Sequence, residues 1–398
     1  MSQEILVIGG GAAGFFTAIN IKEKHPSYKV TILEKTSNTL SKVKVSGGGR
    51  CNVTNARTEP GALIKYYPRG SKRLYKPFER FSTANMRQWL EKRGVQTKSE
   101  DDQRVFPITN DSQTIINCFE NEINRLGILI NHQCAVKKIE KKKRWHVYTD
   151  HQEFKSDQIV YATGASPSSW KILSELGLEI TNIVPSLFTF NIDDPRIKDL
   201  PGTVFPNAKV RISGTKMQEE GPVLITHWGL SGPAILKLSA LGAHLLAKKK
   251  YAFLIQLNLS QQSAESLAKI FDELKASSPK KKLKNHKIDG IPNRYWEHLL
   301  NMLNGSEILW GQMNKRLQNQ LIEQLTQATF SVTGKSPFKE EFVTAGGVDL
   351  KEINFNTMET IRFPGLFLAG EVLDIDALTG GFNFQACWTE GWIISESI

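Results

Sequence analysis

Three glycine-rich segments, with the polar residues beside them, are the parts of this sequence whose types and spacing can do chemistry. The first holds Gly9, Gly11 and Gly14 at G-x-G-x-x-G spacing. It follows the apolar run Ile5-Leu6-Val7-Ile8 and leads into an apolar helical stretch ending at Ile21. A second apolar run, Val30-Thr31-Ile32-Leu33, ends on Glu34, 20 residues past Gly14. A dinucleotide-binding βαβ unit puts the acid that holds a ribose at that distance. Gly9 would permit the tight turn, Gly11 the close approach of a pyrophosphate, and Gly14 the packing of helix on strand. The helix start would offer free N–H groups and partial positive charge to the phosphates. Glu34 favours a ribose bound through its hydroxyls over one bearing a 2′-phosphate.

The second segment is Ser46-Gly47-Gly48-Gly49-Arg50-Cys51-Asn52. Consecutive glycines weaken helix and strand alike, so their use here is close backbone approach to something flat or anionic. Arg50 would bring a fixed fork of donors to a phosphate or carbonyl, and Asn52 would read a ring edge. The third segment, Thr379-Gly380-Gly381-Phe382-Asn383-Phe384-Gln385-Ala386, precedes a helical C-terminus whose first N–H groups would stabilise negative charge. Gly370, Glu371 and Asp374 lie just upstream as candidates for a ribityl and phosphate region. His227, in Thr226-His227-Trp228-Gly229-Leu230-Ser231-Gly232-Pro233, is a candidate acid or base. Cys51 has no evident local base and reads as a buried cysteine beside the cofactor.

The elements that position these segments alternate in the first third of the chain. Ser82–Arg93 suits a helix with Met86, Trp89 and Leu90 on one face, ending at Gly94. Ile115, Ile116, Phe119, Ile123 and Leu126 repeat at helical spacing up to Gly127. Trp145–Tyr148 and Gln158–Tyr161 read as strands, the second running into Ala162-Thr163-Gly164. From Ser186 to about Leu259 short β-like runs alternate with Pro, Gly and Asn, which suggests a small antiparallel sheet or barrel. From Gln261 to Gln327 the pattern is helical, with Pro292 suited to a first turn and Trp296, Leu299, Leu300 and Leu303 on one face. Gly365–Glu371 reads as a late strand returning to the nucleotide-binding sheet.

The sequence has 398 residues and a formal net charge of +11, much of it from Lys141–Arg144, Lys248–Lys250 and Lys280–Lys284. Such a balance admits a polyanionic partner such as RNA, although no RNA-binding motif is present. No apolar run reaches the ~20 residues of a membrane span. The first strand begins by about residue 4, which leaves no room for a signal peptide. The four cysteines are scattered without a C-x-x-C. That favours a reducing cytoplasm over a disulfide framework or a dithiol reductase.

Beyond the first glycine loop, the motifs are more specific. V-I-G-G-G-A-A-G at Val7–Gly14, S-G-G-G-R-C-N-V-T-N at Ser46–Asn55 and R-V-F-P at Arg104–Pro107 occur together with H-W-G-L-S-G-P at His227–Pro233. T-A-G-G-V at Thr344–Val348 and A-G-E-V-L-D-I-D-A-L-T-G-G-F-N-F-Q at Ala369–Gln385 complete the set. In this order they resemble the BaiN/RdsA family of bacterial FAD-dependent oxidoreductases, also described as aminoacetone-oxidase-like. The resemblance implies an α/β fold: a Rossmann-like FAD-binding domain of the glutathione-reductase type, interrupted by a β-barrel-like part and a helical part. It implies a discontinuous FAD domain at 1–185 and 338–398, a β-rich insertion at 186–260 and a helical one at 261–337. It implies FAD contacts at Gly9, Gly11, Ala13, Gly14, Glu34, Lys35, Lys42, Gly48, Arg50, Cys51 and Asn52. Ala135 and Val136 would lie near the adenine and Thr163 and Gly164 near the pyrophosphate. Gly370, Glu371, Asp374, Gly381, Phe382, Asn383 and Gln385 would complete the site. The family often carries a second glycine-rich turn after A-T-G-G, whereas here Ala162–Pro167 runs straight on to Trp170.

Family members are credited with oxidising aminoacetone, reducing a bile-acid double bond and reducing uridine in ribosomal RNA, all through flavin N5. The expected function is therefore FAD-dependent hydride transfer in the cytoplasm. The favoured form is NAD(P)H-linked reduction of a C=C bond, with ribosomal RNA or a small molecule as substrate and no membrane partner. The alternatives are a small-molecule amine oxidase using oxygen and a non-catalytic flavin-binding redox sensor. With no second G-x-G-x-x-G, NAD(P)H would dock only transiently at the flavin face. Arg50 and His227 are the candidates for orienting substrate or moving a proton. The sequence carries no signal of oligomeric state.

Overall fold

Apolar runs without alternation belong in strands covered on both faces, which is where parallel sheets put them. The computed structural model, which describes residues 2–335 and 343–398, has such a sheet. Its strands run in the order Ile353–Asn354, Glu359–Thr360, Leu366–Leu368, Gln158–Tyr161, Glu4–Ile8, Lys29–Leu33, Leu129–Asn131. The last five are parallel: Val7 is opposite both Val160 and Ile32, and Val160 is opposite Phe367. Leu366–Leu368 is thus a late return to the sheet. The first two strands pair antiparallel at the edge.

The chain divides into two compact units, Met1–Ile183 with Thr344–Ile398, and Val184–Val343. The boundary expected at 337/338 lies outside the described residues. In the first unit the helix Ala12–Lys24 packs against the C-terminal helix Phe382–Ser397, with Phe16 and Trp388 ring centroids 5.3 Å apart. A Cβ on Gly391 would meet Thr17 Oγ1 at 2.5 Å, so this glycine sets the spacing of the two helices. The helices expected after Ser82 and before Gly127 form as Thr83–Glu91 and Gln113–Leu126, and both Gly94 and Gly127 take positive φ. Trp145–Thr149 is a strand, but it pairs with Val136–Lys141 and Glu153–Ser156 in a separate antiparallel sheet.

In the second unit the strands follow the order Ala328–Val332, Phe253–Asn258, Val204–Ile212, Gln218–Thr226, Gly229–Ser231, Phe190–Asn191, Gly334–Lys335, each antiparallel to its neighbours. The two ends of that order are joined through Thr333 alone. One bent segment therefore serves both edges, and the sheet closes on itself as a small barrel, which removes its edges. The β-like run expected at Leu187–Phe190 is a strand only at Phe190–Asn191, because Leu187 sits at φ +56°. Phe205, Val210, Ile225, Ile255 and Phe330 from the barrel share one buried cluster with Leu267, Phe271, Trp296, Leu321 and Leu325 from the helices that follow. No helix among the described residues is long and apolar enough to cross a membrane.

Candidate functional site

The strand Glu4–Ile8 ends in a turn that only glycine fits. Gly9 takes φ +113°, and a Cβ there would meet Ala162 O at 2.4 Å. A Cβ on Gly14 would fall 2.0 Å from Gly9 O, so helix and turn are in direct backbone contact. Gly11, at the helix start, differs: its backbone is extended and a Cβ would meet nothing within 4 Å. Sterics explain Gly9 and Gly14, whereas Gly11 leaves open space above a row of helix-terminal N–H groups. That is the room a pyrophosphate needs.

Glu34 is buried at the end of the next strand. Its Oε2 accepts from Gly10 N at 2.8 Å, and its Oε1 accepts from Thr36 N and Thr36 Oγ1, each at 2.8 Å. A carboxylate offers about four lone-pair sites. Three are taken, and one on Oε2 remains for a ribose hydroxyl. Cys134 N donates to Glu34 O at 2.8 Å, which brings Ala135 and Val136 to the same edge. Lys35 is exposed beside them.

In the Ser46–Asn52 loop, Gly47, Gly48, Gly49 and Cys51 all take positive φ, from 59° to 82°. Cβ atoms on Gly48 or Gly49 would again meet nothing within 4 Å. Cys51 is fully buried and burial pushes its thiol up to about 12, against a weaker opposing hydrogen bond from Ser46, so it is no nucleophile at neutral pH. Arg50 pairs with Glu100 at 2.6 Å and lies 4.0 Å over the Phe106 ring. Lys42, nearby, pairs with Glu371, and Glu371 Oε2 lies 3.9 Å from where a Gly164 Cβ would be.

The two ends of the chain meet here. With the Asn52 amide oriented to satisfy its neighbours, Oδ1 accepts from Gly381 N at 2.9 Å and Nδ2 donates to Thr54 O at 2.9 Å. Asn55 Nδ2 donates to Gly380 O at 2.9 Å, and Tyr67 OH donates to Phe382 O at 2.6 Å. Gly370 lies against the first helix, since a Cβ on it would be 3.3 Å from Ala13 Cβ. Asp374 accepts from Gly346 N at 3.0 Å, and burial raises its pKa.

Several expected ligand residues hold the protein itself. Gln385 is fully buried: Oε1 accepts from Thr54 Oγ1 at 2.6 Å, and Nε2 donates to Thr389 Oγ1 at 3.0 Å. Asn383 bonds Ala377 through both its amide atoms, and Phe382 stacks on Tyr66 with centroids 4.2 Å apart. At this helix start the backbone N–H groups are what remain to meet a ligand. His227 belongs to the second unit, exposed beside the exposed Trp228 on the turn between two barrel strands.

Sequence reasoning missed Thr54, Asn55, Tyr67 and, above all, Glu390. Glu390 is fully buried on the C-terminal helix, where Oε2 accepts from Gly370 N at 2.6 Å and Oε1 has no partner. Burial raises it to about 8 against the opposing Gly370 hydrogen bond, so it is neutral at pH 7. The one signal was an acid inside the apolar stretch Ala386-Cys387-Trp388-Thr389-Glu390-Gly391-Trp392-Ile393-Ile394.

The converging glycine segments and the interrupted parallel sheet have counterparts. The family described as HI0933-like protein Rossmann domain matches residues 3–397. The chain belongs to this family. Its fold is the Rossmann-like FAD-binding domain of the glutathione-reductase type, carrying an inserted barrel and helices. Among curated relatives, the ribosomal RNA dihydrouridine synthase of Escherichia coli K12 is 27% identical over 99% of this chain and 98% of its own. The 3-dehydro-bile acid delta(4,6)-reductase of Clostridium scindens is 24% identical over 98% of each chain. The solved 3-ketosteroid delta1-dehydrogenase of Sterolibacterium denitrificans shares the fold with a TM-score of 0.52 at 10% identity, over 99% of each chain.

Proposed function

We propose that this protein is a cytoplasmic FAD-dependent reductase that uses NAD(P)H to saturate a C=C bond, and that its substrate is uridine in ribosomal RNA. The observation that carries the cofactor is the open space over Gly11, Gly48 and Gly49. At Gly11 neither the backbone conformation nor the packing of the protein itself requires glycine, and the surrounding groups suit a dinucleotide. Bound flavin supplies hydride transfer, so reduction of uridine adds that hydride and one proton across the ring double bond while NAD(P)H becomes NAD(P)+.

The chain's own residues bind and orient. The helix start at Gly11–Ala13 would take the pyrophosphate, and Glu34 the adenosine ribose. Lys42, Glu371 and Asp374 would flank the ribityl chain, with Thr163 and Gly164 on the pyrophosphate side. The backbone of Gly381–Asn383 would lie at the flavin's electron-rich edge. Arg50, stacked on Phe106, would orient a carbonyl. The substrate reading is supported by the full-length likeness to the dihydrouridine synthase and by the delta(4,6)-reductase, whose name also denotes reduction.

The test compares dihydrouridine in ribosomal RNA from cells with and without this protein. Loss of one modified position on deletion, restored by the wild-type chain, is expected. Unchanged content would remove the RNA substrate. Peroxide release with an amine donor, in place of NAD(P)H oxidation, would favour the oxidase reading.

A further inference from the structure

The helix Ser71–Arg80 is built to present charge. Leu74, Pro77 and Phe78 are buried, while Lys72, Arg73, Tyr75 and Lys76 are exposed. Among the described residues none of these three cations has an acidic partner within ion-pair distance. Like charges three and four residues apart destabilise a helix. Here they stand uncompensated within about 6 Å of helix rise. Glu79 is the helix's only acid, and the nearby Glu352 is taken by Arg362.

This helix forms one wall of a groove of about 640 Å³. The other wall is the sheet-edge segment that carries Phe355 and Ile361. Ile361 is 63% exposed and Tyr75 42% exposed. The Arg73 guanidinium lies 5.9 Å from the Phe355 ring. Cations set beside the exposed Tyr75 ring and Ile361 suit a chain of phosphates and an unstacked base. A lipid surface fits less well, because the helix's apolar face is already buried and only Tyr75 and, across the groove, Ile361 are left to insert.

The helix that walls the groove starts beside the loop of the candidate site. Arg69 pairs with Asp376, and a Cβ on Gly70 would meet Ile375 Cγ1 at 2.7 Å. Leu378 N donates to Tyr66 O at 2.8 Å. The loop from Gly370 to Gly381 therefore packs against the start of this helix. We infer that the groove between Ser71–Arg80 and Phe355–Ile361 is the docking surface for a single-stranded RNA segment, with Lys72, Arg73 and Lys76 on its phosphates and Tyr75 against a base. The inference rests on the RNA reading above and adds where the RNA lies.

The experiment measures fluorescence anisotropy of a labelled 20-mer of oligouridylate with the full-length FAD-loaded protein, from about 50 to 200 mM salt. Each phosphate contact on a single strand contributes about −0.7 to the slope of log K against log salt. The triple variant Lys72→Ala, Arg73→Ala, Lys76→Ala is expected to flatten the slope by about 2 and to weaken binding at least tenfold at the lowest salt. Lys248→Ala, Lys249→Ala, Lys250→Ala removes equal charge from the second unit and is expected to change binding less than threefold. Equal losses in both would overturn the groove in favour of bulk charge. Retention of oligouridylate binding by the groove variant, with loss only of phosphatidylserine-vesicle binding, would overturn it in favour of a membrane. Flavin absorbance and melting temperature report folding. If the triple variant melts early, Lys76→Gln alone should flatten the slope by about 0.7, and an unchanged slope counts against the groove. Should these results hold while ribosomal dihydrouridine is unaffected by deletion, the groove stands and the substrate reading fails. Should the wild type form dihydrouridine while the triple variant keeps its KM for ribosomal RNA, the groove alone fails.

Discussion

Gly11 and Glu390 separate what the protein needs in order to fold from what the cofactor needs. Gly11→Ala adds a Cβ to an ordinary extended backbone with nothing within 4 Å. The free protein should keep its stability, or gain up to about 1 kcal/mol from a stiffer unfolded chain. That same methyl occupies the space above the helix start, so FAD affinity should fall tenfold or more, about 1.4 kcal/mol, in a fluorescence titration. Undiminished affinity would move the pyrophosphate elsewhere. Glu390 carries the pH dependence. Its folded pKa, about 8, is raised from 4.5 by burial. The folded state therefore holds a proton that the unfolded state has released. Stability tied to that proton is complete below about pH 4.5 and is lost as pH rises through about 8. Glu390→Gln keeps an oxygen for Gly370 N and removes the titration. In urea unfolding, its advantage over wild type should grow between pH 5 and pH 8.5 by a few kcal/mol and then level off. A constant difference across that range would mean that Glu390 is already ionised in the fold.

Among the elements, local order was legible and pairing was not. G-x-G-x-x-G with its flanking apolar runs identified the first strand, helix and strand, because turn sterics and burial are written in those residues. Leu366–Leu368 was recognisable as a further strand by the same apolar, glycine-bounded pattern. Trp145–Thr149 was recognisable as a strand too, but its residence in a side sheet depends on partners that its own residues do not name. The inward use of Gln385 was hidden for a similar reason: its partners Thr54 and Phe81 are more than 300 residues away in sequence. The contact between the helices Ala12–Lys24 and Phe382–Ser397 gives a test at this scale. Gly391→Ala places a methyl 2.5 Å from Thr17 Oγ1, an oxygen already held by Ala13 O at 2.7 Å. Neither helix can yield without losing the Phe16–Trp388 contact, so the cost should be about 1–3 kcal/mol. Chemical denaturation would detect it as a lower midpoint with an unchanged m-value, and a midpoint equal to wild type would mean that the helices part freely.

The whole molecule contains two separate cores, one under the parallel sheet and one inside the barrel and its helices. The interruption was legible as a change of character near Pro185. Barrel closure through Thr333 was not, since a bent segment that serves two edges reads locally as two short strands. Two cores in two compact units should give two thermal transitions, because cooperativity follows shared packing. The proposed cofactor residues fall at 9–52, 135–164 and 370–385, all within the first unit. A ligand stabilises only the state that binds it, by about 2.7 kcal/mol at a hundredfold excess over Kd. For a unit of 150–250 residues, each kcal/mol raises Tm by roughly 2–4 °C. Saturating FAD should therefore raise one transition by about 5–10 °C in differential scanning calorimetry and leave the other in place. The transition that moves should be the one that Gly391→Ala lowers. If FAD instead moves the transition insensitive to Gly391→Ala, the cofactor binds the inserted unit and the assignment of the three glycine segments is wrong. A single transition moving as a whole would mean that the two cores unfold as one.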